Sequence, residues 1–232
     1  MSDVVYGRRS VREALRGNRE VLDVWATERA VKSEPWLAEV SPKVKLEREL
    51  TERADTRDHQ GVVAMVEPFH YADAYELAGA ERPMLAVLDR VTDPRNLGAV
   101  CRSAEGAGAT GVVVPAHGSA VVTPAVARAS AGAVEHLPIA VVTNLARYLE
   151  EVKGPDLWVY GAALDPSARS MWETDLSGGT ALVFGAEGKG LRPLVRRTCD
   201  ALVSIPLGGE VESLNVSVAA ALLLYEARRQ RG

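Results

Sequence analysis

The sequence predicts an α/β protein with a parallel-sheet domain at its C-terminal end and a smaller α/β domain before it. From residue 84 onwards, short apolar segments alternate with helix-like segments, a pattern typical of a buried parallel sheet covered by helices. Residues 1–66 hold a separate set of short strands and helices, whereas residues 67–82 lose the strand pattern. The chain is therefore divided into an N-terminal domain (1–66), a linker (67–82) and a C-terminal domain (83–232).

The N-terminal domain is predicted to begin with a helix capped by Ser10, because serine oxygens accept hydrogen bonds from the first turn of helices. Gly17 is the expected end of this helix. The other elements expected here are strands at 21–26, 44–46 and 61–66 and a helix near 34–40. One helical turn is expected in the linker, around 73–78.

The C-terminal domain alternates strands and helices throughout. Strands are predicted at 84–88, 111–114, 139–142, 157–160, 180–184 and 201–205. Helices are predicted at 97–106, 123–131, 145–152, 191–198 and 214–229. The last helix is apolar nearly all round from Val216 to Leu224, which places it inside the fold or in a subunit interface.

The composition is typical of a soluble globular protein, since 47% of the 232 residues are hydrophobic and 25% are charged. Neither a membrane-spanning run nor a secretory signal is recognisable, so we expect a cytoplasmic protein without a membrane partner. The cysteines Cys101 and Cys199 lie far apart, which suits a reducing compartment. The four histidines have no metal-ligand spacing, so no metal site is expected.

The net charge of −4 counts against nucleic acid as a general partner. Any RNA binding must therefore come from local clusters of positive charge. Arg9, Arg12, Arg16 and Arg19 follow one another at spacings of three and four, so they form a stripe along one side of the first helix. Such a stripe is most often a solvated surface, and it is also suited to an RNA backbone.

Three polar loops follow apolar strands of the predicted sheet, where ligands of parallel sheets bind. The first loop contains Asp93-Pro94 and a helix expected to begin near Asn96, with Arg102 further along it. The second, 185–191, places three glycines around Glu187, and the third runs through 205–217. A literal GxGxxG at 106–111 ends a helix and enters a strand, so it is not a dinucleotide fingerprint.

These loops resemble three sequence motifs of one enzyme family. The motifs are Asn96-x-Gly98-x-x-x-Arg102, Gly185-x-Glu187-Gly188-x-Gly190-Leu191, and Ile205-Pro206-Leu207 with Ser213-Leu214-Asn215-Val216-Ser217. Together they are similar to the signature of the SpoU (TrmH-type) RNA ribose 2′-O-methyltransferases of the SPOUT superfamily. The segments 7–15 and 59–62 resemble the substrate-binding domain of the ribosomal RNA branch. Leu207 stands where the family often has methionine, a volume-conserving difference.

The resemblance implies a C-terminal trefoil knot, an S-adenosylmethionine (SAM) site inside it and a homodimer formed by the C-terminal domain. It implies RNA as partner, most closely a guanosine of 23S ribosomal RNA, with no role for DNA. By the resemblance, the nucleotide is bound and activated by Asn96, Arg102, Glu187, Ser213 and Asn215. The cofactor is held around Gly185, Ile205, Leu207 and Leu214. The arginines expected to contact RNA are Arg8, Arg9, Arg12 and Arg16.

Arg102 is assigned here to a phosphate clamp, because a guanidinium keeps its proton at neutral pH and is therefore a poor base. Several alternatives stay open at this point: a tRNA ribose methyltransferase, an antibiotic-resistance rRNA methyltransferase, and a non-catalytic RNA-binding protein. The last would keep the arginine stripe and could dispense with Glu187 and Asn215. A nucleotide-binding oxidoreductase would need a GxGxxG that follows a strand.

Overall fold

The computed structural model describes residues 2–210 and 212–232. The described residues form a four-stranded sheet in the N-terminal part and a seven-stranded sheet in the remainder. The N-terminal elements are β1 (Asp3–Tyr6), α1 (Arg8–Ala14), β2 (Val21–Ala26), α2 (Glu28–Ser33), α3 (Leu37–Val40), β3 (Lys43–Val44), α4 (Glu47–Ala54) and β4 (Val62–Val66).

The N-terminal sheet has the order β1-β4-β2-β3, and β4 runs antiparallel to both of its neighbours. All five residues of β4 are buried because both faces of the strand are covered. Val62, Ala64 and Val66 belong to the main core, which also contains residues of α1. The alternate residues Val63 and Met65 pack with Leu50 of α4 on the other face.

The first helix departs from the prediction. Ser10 does not cap α1, which begins at Arg8 after Gly7. Ser10 lies buried inside the helix, where its hydroxyl donates a hydrogen bond to the backbone oxygen of Ala127 at 3.1 Å. Ser10 therefore bonds to a distant part of the chain, although local sequence preference predicted that it would cap the helix. The prediction also missed β1, α2 and α4.

The remaining elements alternate along the chain much as predicted. They are α5 (Ala74–Ala78), β5 (Met84–Asp89), α6 (Pro94–Ala107), β6 (Gly111–Pro115), α7 (Pro124–Ala129), β7 (Ile139–Val142), α8 (Leu145–Val152), β8 (Trp158–Ala162), β9 (Arg169–Ser170), β10 (Thr180–Gly185), α9 (Pro193–Thr198), β11 (Ala201–Ser204) and α10 (Val216–Arg231). The short strand β9 was not predicted. The GxGxxG segment ends α6 with Gly108 in the left-handed region, as expected.

The large sheet has the order β7-β6-β5-β10-β8-β11-β9, and its strand pairs are parallel. Alternate residues of its central strands enter two different cores. One core includes residues of α6 and α10, and the other includes residues of α5, α8 and α9. Helices thus cover both faces, which confirms the predicted α/β class.

Polar contacts join the N-terminal part to the segment between α7 and β7. The guanidinium of Arg19 forms a forked ion pair with the carboxylate of Glu135, and these side chains are 9% and 0% exposed. Glu13 pairs with His136 at 2.9 Å. Arg19 therefore has a structural partner and does not belong to the solvated stripe that its spacing predicted. Within the described residues, no helix combines the length and apolar character that a membrane span needs.

Candidate active site

Three loops meet at the carboxyl edge of the seven-stranded sheet. They follow β5, β10 and β11. Because β5 and β10 lie side by side, Asp89 at the end of one strand pairs with Gly185 at the end of the other. Only β8 separates β10 from β11. The sheet therefore brings together the ends of three strands that lie far apart in sequence, as expected for a ligand site in a parallel sheet.

One side-chain amide connects the three loops. Nδ2 of Asn215 donates hydrogen bonds to Oδ1 of Asn96 at 3.1 Å and to Oε1 of Glu187. Oδ1 of Asn215 accepts hydrogen bonds from the backbone N–H and the hydroxyl of Ser217, at 2.8 and 2.6 Å. A primary amide has two donor hydrogens and two acceptor lone pairs, so Asn215 uses its full capacity. It therefore holds Asn96 and Glu187 in a fixed relation.

The same cluster leaves one acceptor and one donor available to a ligand. Oε2 of Glu187 and Nδ2 of Asn96 have no hydrogen-bond partner among the described residues. Glu187 is exposed and Asn96 is half-buried, so a molecule at the sheet edge can reach both. A carboxylate oxygen beside an amide N–H can bind a group that both donates and accepts, such as a sugar hydroxyl.

Two helices begin at this cluster. Asp93 caps α6 by accepting a hydrogen bond from the backbone N–H of Arg95 at 2.8 Å, and Pro94 occupies the first turn. The helix therefore starts two residues before the predicted start near Asn96. Asn215 caps α10 in the same way. Because helix N-termini carry partial positive charge, both helices favour anionic groups near the cluster.

The second loop folds tightly on itself. The backbone N–H of Gly190 donates to the oxygen of Ala186 at 2.9 Å, and a Cβ on Gly185 would overlap the backbone of Gly190. Gly188 and Gly190 have φ angles of +70° and +62°, which side chains other than glycine rarely adopt. The glycines of this loop thus permit the turn that presents Glu187.

A cavity of about 850 Å³ lies between the second and third loops. Its wall includes all four residues predicted to hold the cofactor: Gly185, Ile205, Leu207 and Leu214. Glu187, Ser213 and Asn215 line it as well. The backbone N–H groups of Leu207 and Leu214 have no acceptor within the described residues. Apolar side chains next to unpaired backbone groups suit a nucleoside, whose ring is apolar on its faces and polar at its edges.

A charged pair borders this cavity. Arg196 of α9 lines the wall and contacts the carboxylate of Asp165 at 2.6 Å. Hydrogen bonds from Ser167, followed by the pairing with Arg196, lower the pKa of Asp165 to about 2. The carboxylate of Asp165 is therefore ionised at neutral pH and holds Arg196 at the cavity rim. No sequence motif points to either residue.

Arg102 lies outside the polar cluster, in a second cavity of about 850 Å³ between α6, α7 and the N-terminal part. We call this cavity the arginine cleft, after the arginines in its wall: Arg8, Arg9, Arg12, Arg95, Arg102 and Arg128. Arg102 lies seven positions after Arg95, about two helical turns, so both project from one side of α6. Asn96 is rotated by about 100° from Arg95 and faces the polar cluster. Arg16 lies outside the wall of the cleft and pairs with Glu13 at 3.3 Å.

Comparison with known proteins agrees with this geometry. The sequence model of the SpoU rRNA methylase family matches residues 83–225. A second model, described as RNA 2′-O ribose methyltransferase substrate binding, matches residues 4–72. The chain belongs to the SpoU rRNA methylase family.

Individual relatives of this SpoU methylase cover nearly its whole length. A TrmH family tRNA/rRNA methyltransferase of Bacillus subtilis, YacO, is 42% identical over 99% of the chain and 96% of its own length. The 23S rRNA (guanosine-2′-O-)-methyltransferase RlmB of Pseudomonas putida is 42% identical over 98% of this chain and 96% of its own length. The crystal structure of the SpoU methyltransferase AviRb from Streptomyces viridochromogenes, in complex with AdoMet, superposes with a TM-score of 0.82 at 28% identity, over 99% of this chain and 90% of that one.

The SpoU methylase also contains site residues that its sequence motifs do not reveal. Asp89, at the end of β5, is fully buried and accepts hydrogen bonds from the backbone N–H and the Nε of Arg192, at 2.8 and 2.6 Å. This pair ties the first loop to the second. Asp89 could have been noticed as an acid directly after an apolar strand. Arg95 could have been noticed from its spacing to Arg102, whereas the sequence gives no sign of Arg128.

Proposed function

We propose that this SpoU methylase transfers a methyl group from SAM to the ribose 2′-hydroxyl of a guanosine in 23S ribosomal RNA. The observation that carries the proposal is that Glu187 and Asn215 belong both to the polar cluster and to the wall of the cofactor cavity. A methyl donor in the cavity and a hydroxyl at the cluster would therefore meet. The relatives named as 23S rRNA guanosine 2′-O-methyltransferases support the choice of substrate.

The cofactor supplies an electrophilic methyl group whose sulfur leaves as a neutral thioether. No general acid is needed for that departure, so the protein has to orient the ribose hydroxyl and accept its proton. Oε2 of Glu187 is positioned to accept a hydrogen bond from the hydroxyl, and Nδ2 of Asn96 to donate one to a ribose oxygen. Asn215 keeps these two groups aligned, and Ser213 on the cavity wall contacts the nucleotide.

The cofactor cavity fits SAM by its chemistry. Ile205, Leu207 and Leu214 supply apolar contacts for an adenine ring, and their open backbone groups supply hydrogen bonds to its edge. Gly185 allows the second loop to approach closely, because any side chain there would collide with Gly190. In this proposal the chain from β10 to α10 forms the trefoil knot of the family, so that the third loop passes beside the second.

RNA capture is assigned to the N-terminal domain (1–66), joined through residues 67–82 to the methyltransferase domain (83–232). Arg9, Arg12 and Arg16 are exposed, and Arg8 lines the arginine cleft. Arg102 clamps a phosphate of the target nucleotide and does not act as a base. Because ribosomal RNA is the substrate, the proposed compartment is the cytoplasm.

A homodimer is proposed through one face of α10. Val218, Leu222 and Tyr225 are 46%, 41% and 52% exposed, and their spacing of four and three residues places them on one side of the helix. The opposite side, including Leu223, Leu224 and Ala227, is buried. Light scattering at micromolar concentration should give the mass of a dimer for the wild type and of a monomer for Leu222→Glu. A monomeric wild type would remove the dimer and leave the catalytic proposal standing.

Titration calorimetry and methyl transfer test the catalytic proposal together. The purified protein should bind SAM without RNA and should transfer labelled methyl to 23S rRNA. Glu187→Gln should bind SAM normally and transfer methyl at least about tenfold more slowly, because an amide is a far weaker proton acceptor. Absence of SAM binding at millimolar cofactor would refute the proposal, and an unimpaired Glu187→Gln would move proton acceptance to another group.

A further inference from the structure

The arginine cleft concentrates positive charge in a protein whose net charge is −4. Two of its six arginines are paired with carboxylates: Arg8 with Glu34 at 2.8 Å and Arg95 with Asp93 at 3.0 Å. The other four have no carboxylate within ion-pair distance among the described residues: Arg9, Arg12, Arg102 and Arg128. Asp58 also lines the cleft, and four unpaired guanidinium groups against this one carboxylate still favour an anionic ligand.

Arg128 points more specifically to a missing acceptor. Its Nε is buried and has no hydrogen-bond partner within the described part of the chain. The side chain packs closely on the backbone of Gly7, where an added Cβ would lie 2.9 Å from Cδ and 3.0 Å from Nε of Arg128. A buried donor without a partner is destabilising, and native structures usually satisfy such a group. Because Arg128 also lines the cleft, a ligand oxygen there would meet the other N–H groups of this guanidinium, which Gly7 and the buried Nε hold in place.

The cleft is held open by contacts between the two parts of the protein. The hydroxyl of Ser10 bonds to the backbone of Ala127, directly beside Arg128. The buried ion pair of Arg19 with Glu135 fixes the same junction. The arginines of α1 therefore keep their position relative to those of α6 and α7, and a ligand does not have to bring them together.

We propose that the arginine cleft is a second RNA subsite, in which Arg128, Arg9 and Arg12 bind the backbone phosphate next to the one that Arg102 clamps. The inference rests on the proposed function, gives the RNA contacts of Arg9 and Arg12 a defined place and adds Arg128 to them. Guanidinium groups match phosphate oxygens with paired hydrogen bonds. Arg102 lies six residues beyond Asn96, about 9 Å along α6, so the cleft and the polar cluster can contact one RNA strand.

The side chains around the arginines favour RNA over a small free anion. Trp36 lines the cleft and is half-buried, with its Nε1 bonded to Glu34 at 2.9 Å. This bond holds the indole ring beside the arginines. Aromatic rings next to a basic groove stack on the bases of single-stranded RNA, whereas inorganic phosphate would use only the positive charge. Both parts of the protein would then contact one strand, which suppresses transfer to RNA that reaches only one of them.

The test uses the full-length protein and a 23S rRNA fragment that the wild type binds, and methylation of that fragment is measured separately. Each phosphate near the target is replaced in turn by a neutral methylphosphonate, and RNA affinity is measured for wild type, Arg128→Gln, Arg12→Gln and the control Arg197→Gln. Arg197 is exposed and lines neither cavity. At one linkage beside the target, the methylphosphonate should weaken RNA binding by the wild type about tenfold. The same substitution should hardly change RNA binding by Arg128→Gln. With unmodified RNA, Arg128→Gln should lower the slope of log affinity against log salt by about one.

The inference is overturned if Arg128→Gln and Arg12→Gln, with wild-type melting temperatures, bind the unmodified fragment with wild-type affinity and salt slope. It is also overturned if, at every linkage, the methylphosphonate lowers the RNA affinity of each variant by the same factor as it lowers that of the wild type. Calorimetric binding of inorganic phosphate that Arg128→Gln abolishes, without dependence on any RNA linkage, would assign the cleft to a free anion. Methylation by the wild type is scored separately. If the fragment is methylated normally and no methylphosphonate changes its affinity, the subsite is refuted and the proposed function stands. If a methylphosphonate lowers the affinity but the fragment is not methylated, only the proposed function is refuted.

Discussion

Replacing Asn215 with serine separates the two roles that this residue has in the structure. Its Oδ1 caps α10, and its Nδ2 bridges Asn96 and Glu187. Serine caps helices about as well as asparagine, so Asn215→Ser keeps the first role. The shorter side chain has no amide and cannot bond to Asn96 and Glu187 together, so the second role is lost.

The structure sets the size of both effects. With 232 residues, the entropy of unfolding at the melting temperature is about 0.5 kcal/mol/K, so a cap change under about 0.5 kcal/mol shifts the melting temperature by only ~1 °C. A hydrogen bond to a charged group contributes about 1.5–3 kcal/mol, and the exposure of Glu187 selects the lower end. That value corresponds to about a tenfold loss of rate if the alignment acts in the transition state.

Single-turnover methyl transfer at saturating RNA and SAM measures this loss directly. SAM affinity by calorimetry and the melting temperature should both stay close to wild type. The matched control is Ser217→Ala, which removes one hydrogen bond on the oxygen side of the same amide and should slow transfer only about threefold or less. Wild-type turnover by Asn215→Ser would mean that the amide bridge between Asn96 and Glu187 has no part in catalysis.

Other predictions concern the fold and the cofactor. Glu135→Ala should lower the melting temperature by ~6 °C, because breaking its buried pair with Arg19 costs about 3 kcal/mol, and Arg19 still has Asp3 nearby. As a control, Glu150→Gln breaks an exposed ion pair and should shift the melting temperature by ~1 °C at most. Gly185→Ala should weaken SAM binding by about tenfold or more, while Gly178→Ala, whose Cβ meets nothing within 4 Å, should not. Burial raises the pKa of both cysteine thiols from 9.0 to about 12. Alkylation at pH 8 should therefore be slow in the folded protein and fast in urea, and the stability that the neutral thiols contribute below pH 9 should be lost between pH 9 and pH 12.

The strands of the large sheet were predictable because each is a short apolar run between helices. The strand at 139–142 and the helix at 145–152 coincide with β7 and α8. Ser10 was wrong as a cap because its partner, Ala127, lies 117 residues away, and no local preference contains that contact. Arg19 was placed wrongly for the same reason. Its spacing fits a surface stripe, but it forms a buried pair with Glu135, which lies far away in the sequence.

The candidate site was predictable to the extent that motif residues meet at the sheet edge. Asn96, Glu187 and Asn215 do so, and the predicted cofactor residues line one cavity. The separate position of Arg102 could not be seen, because the sequence does not specify that α7 and the N-terminal part pack beside α6. Arg128 was missed for that reason. The roles of all these residues stay predictions until the variants are measured.

Nucleoside analysis of methylated RNA shows which atom of which nucleotide receives the methyl group. Purified protein is incubated with labelled SAM and 23S rRNA from cells that lack this protein, and the RNA is digested to nucleosides. The label should appear as 2′-O-methylguanosine, at one position, and it should be strongly reduced for Glu187→Gln. Label on a base, label on tRNA but not on 23S rRNA, or no transfer by a protein that binds SAM would contradict it.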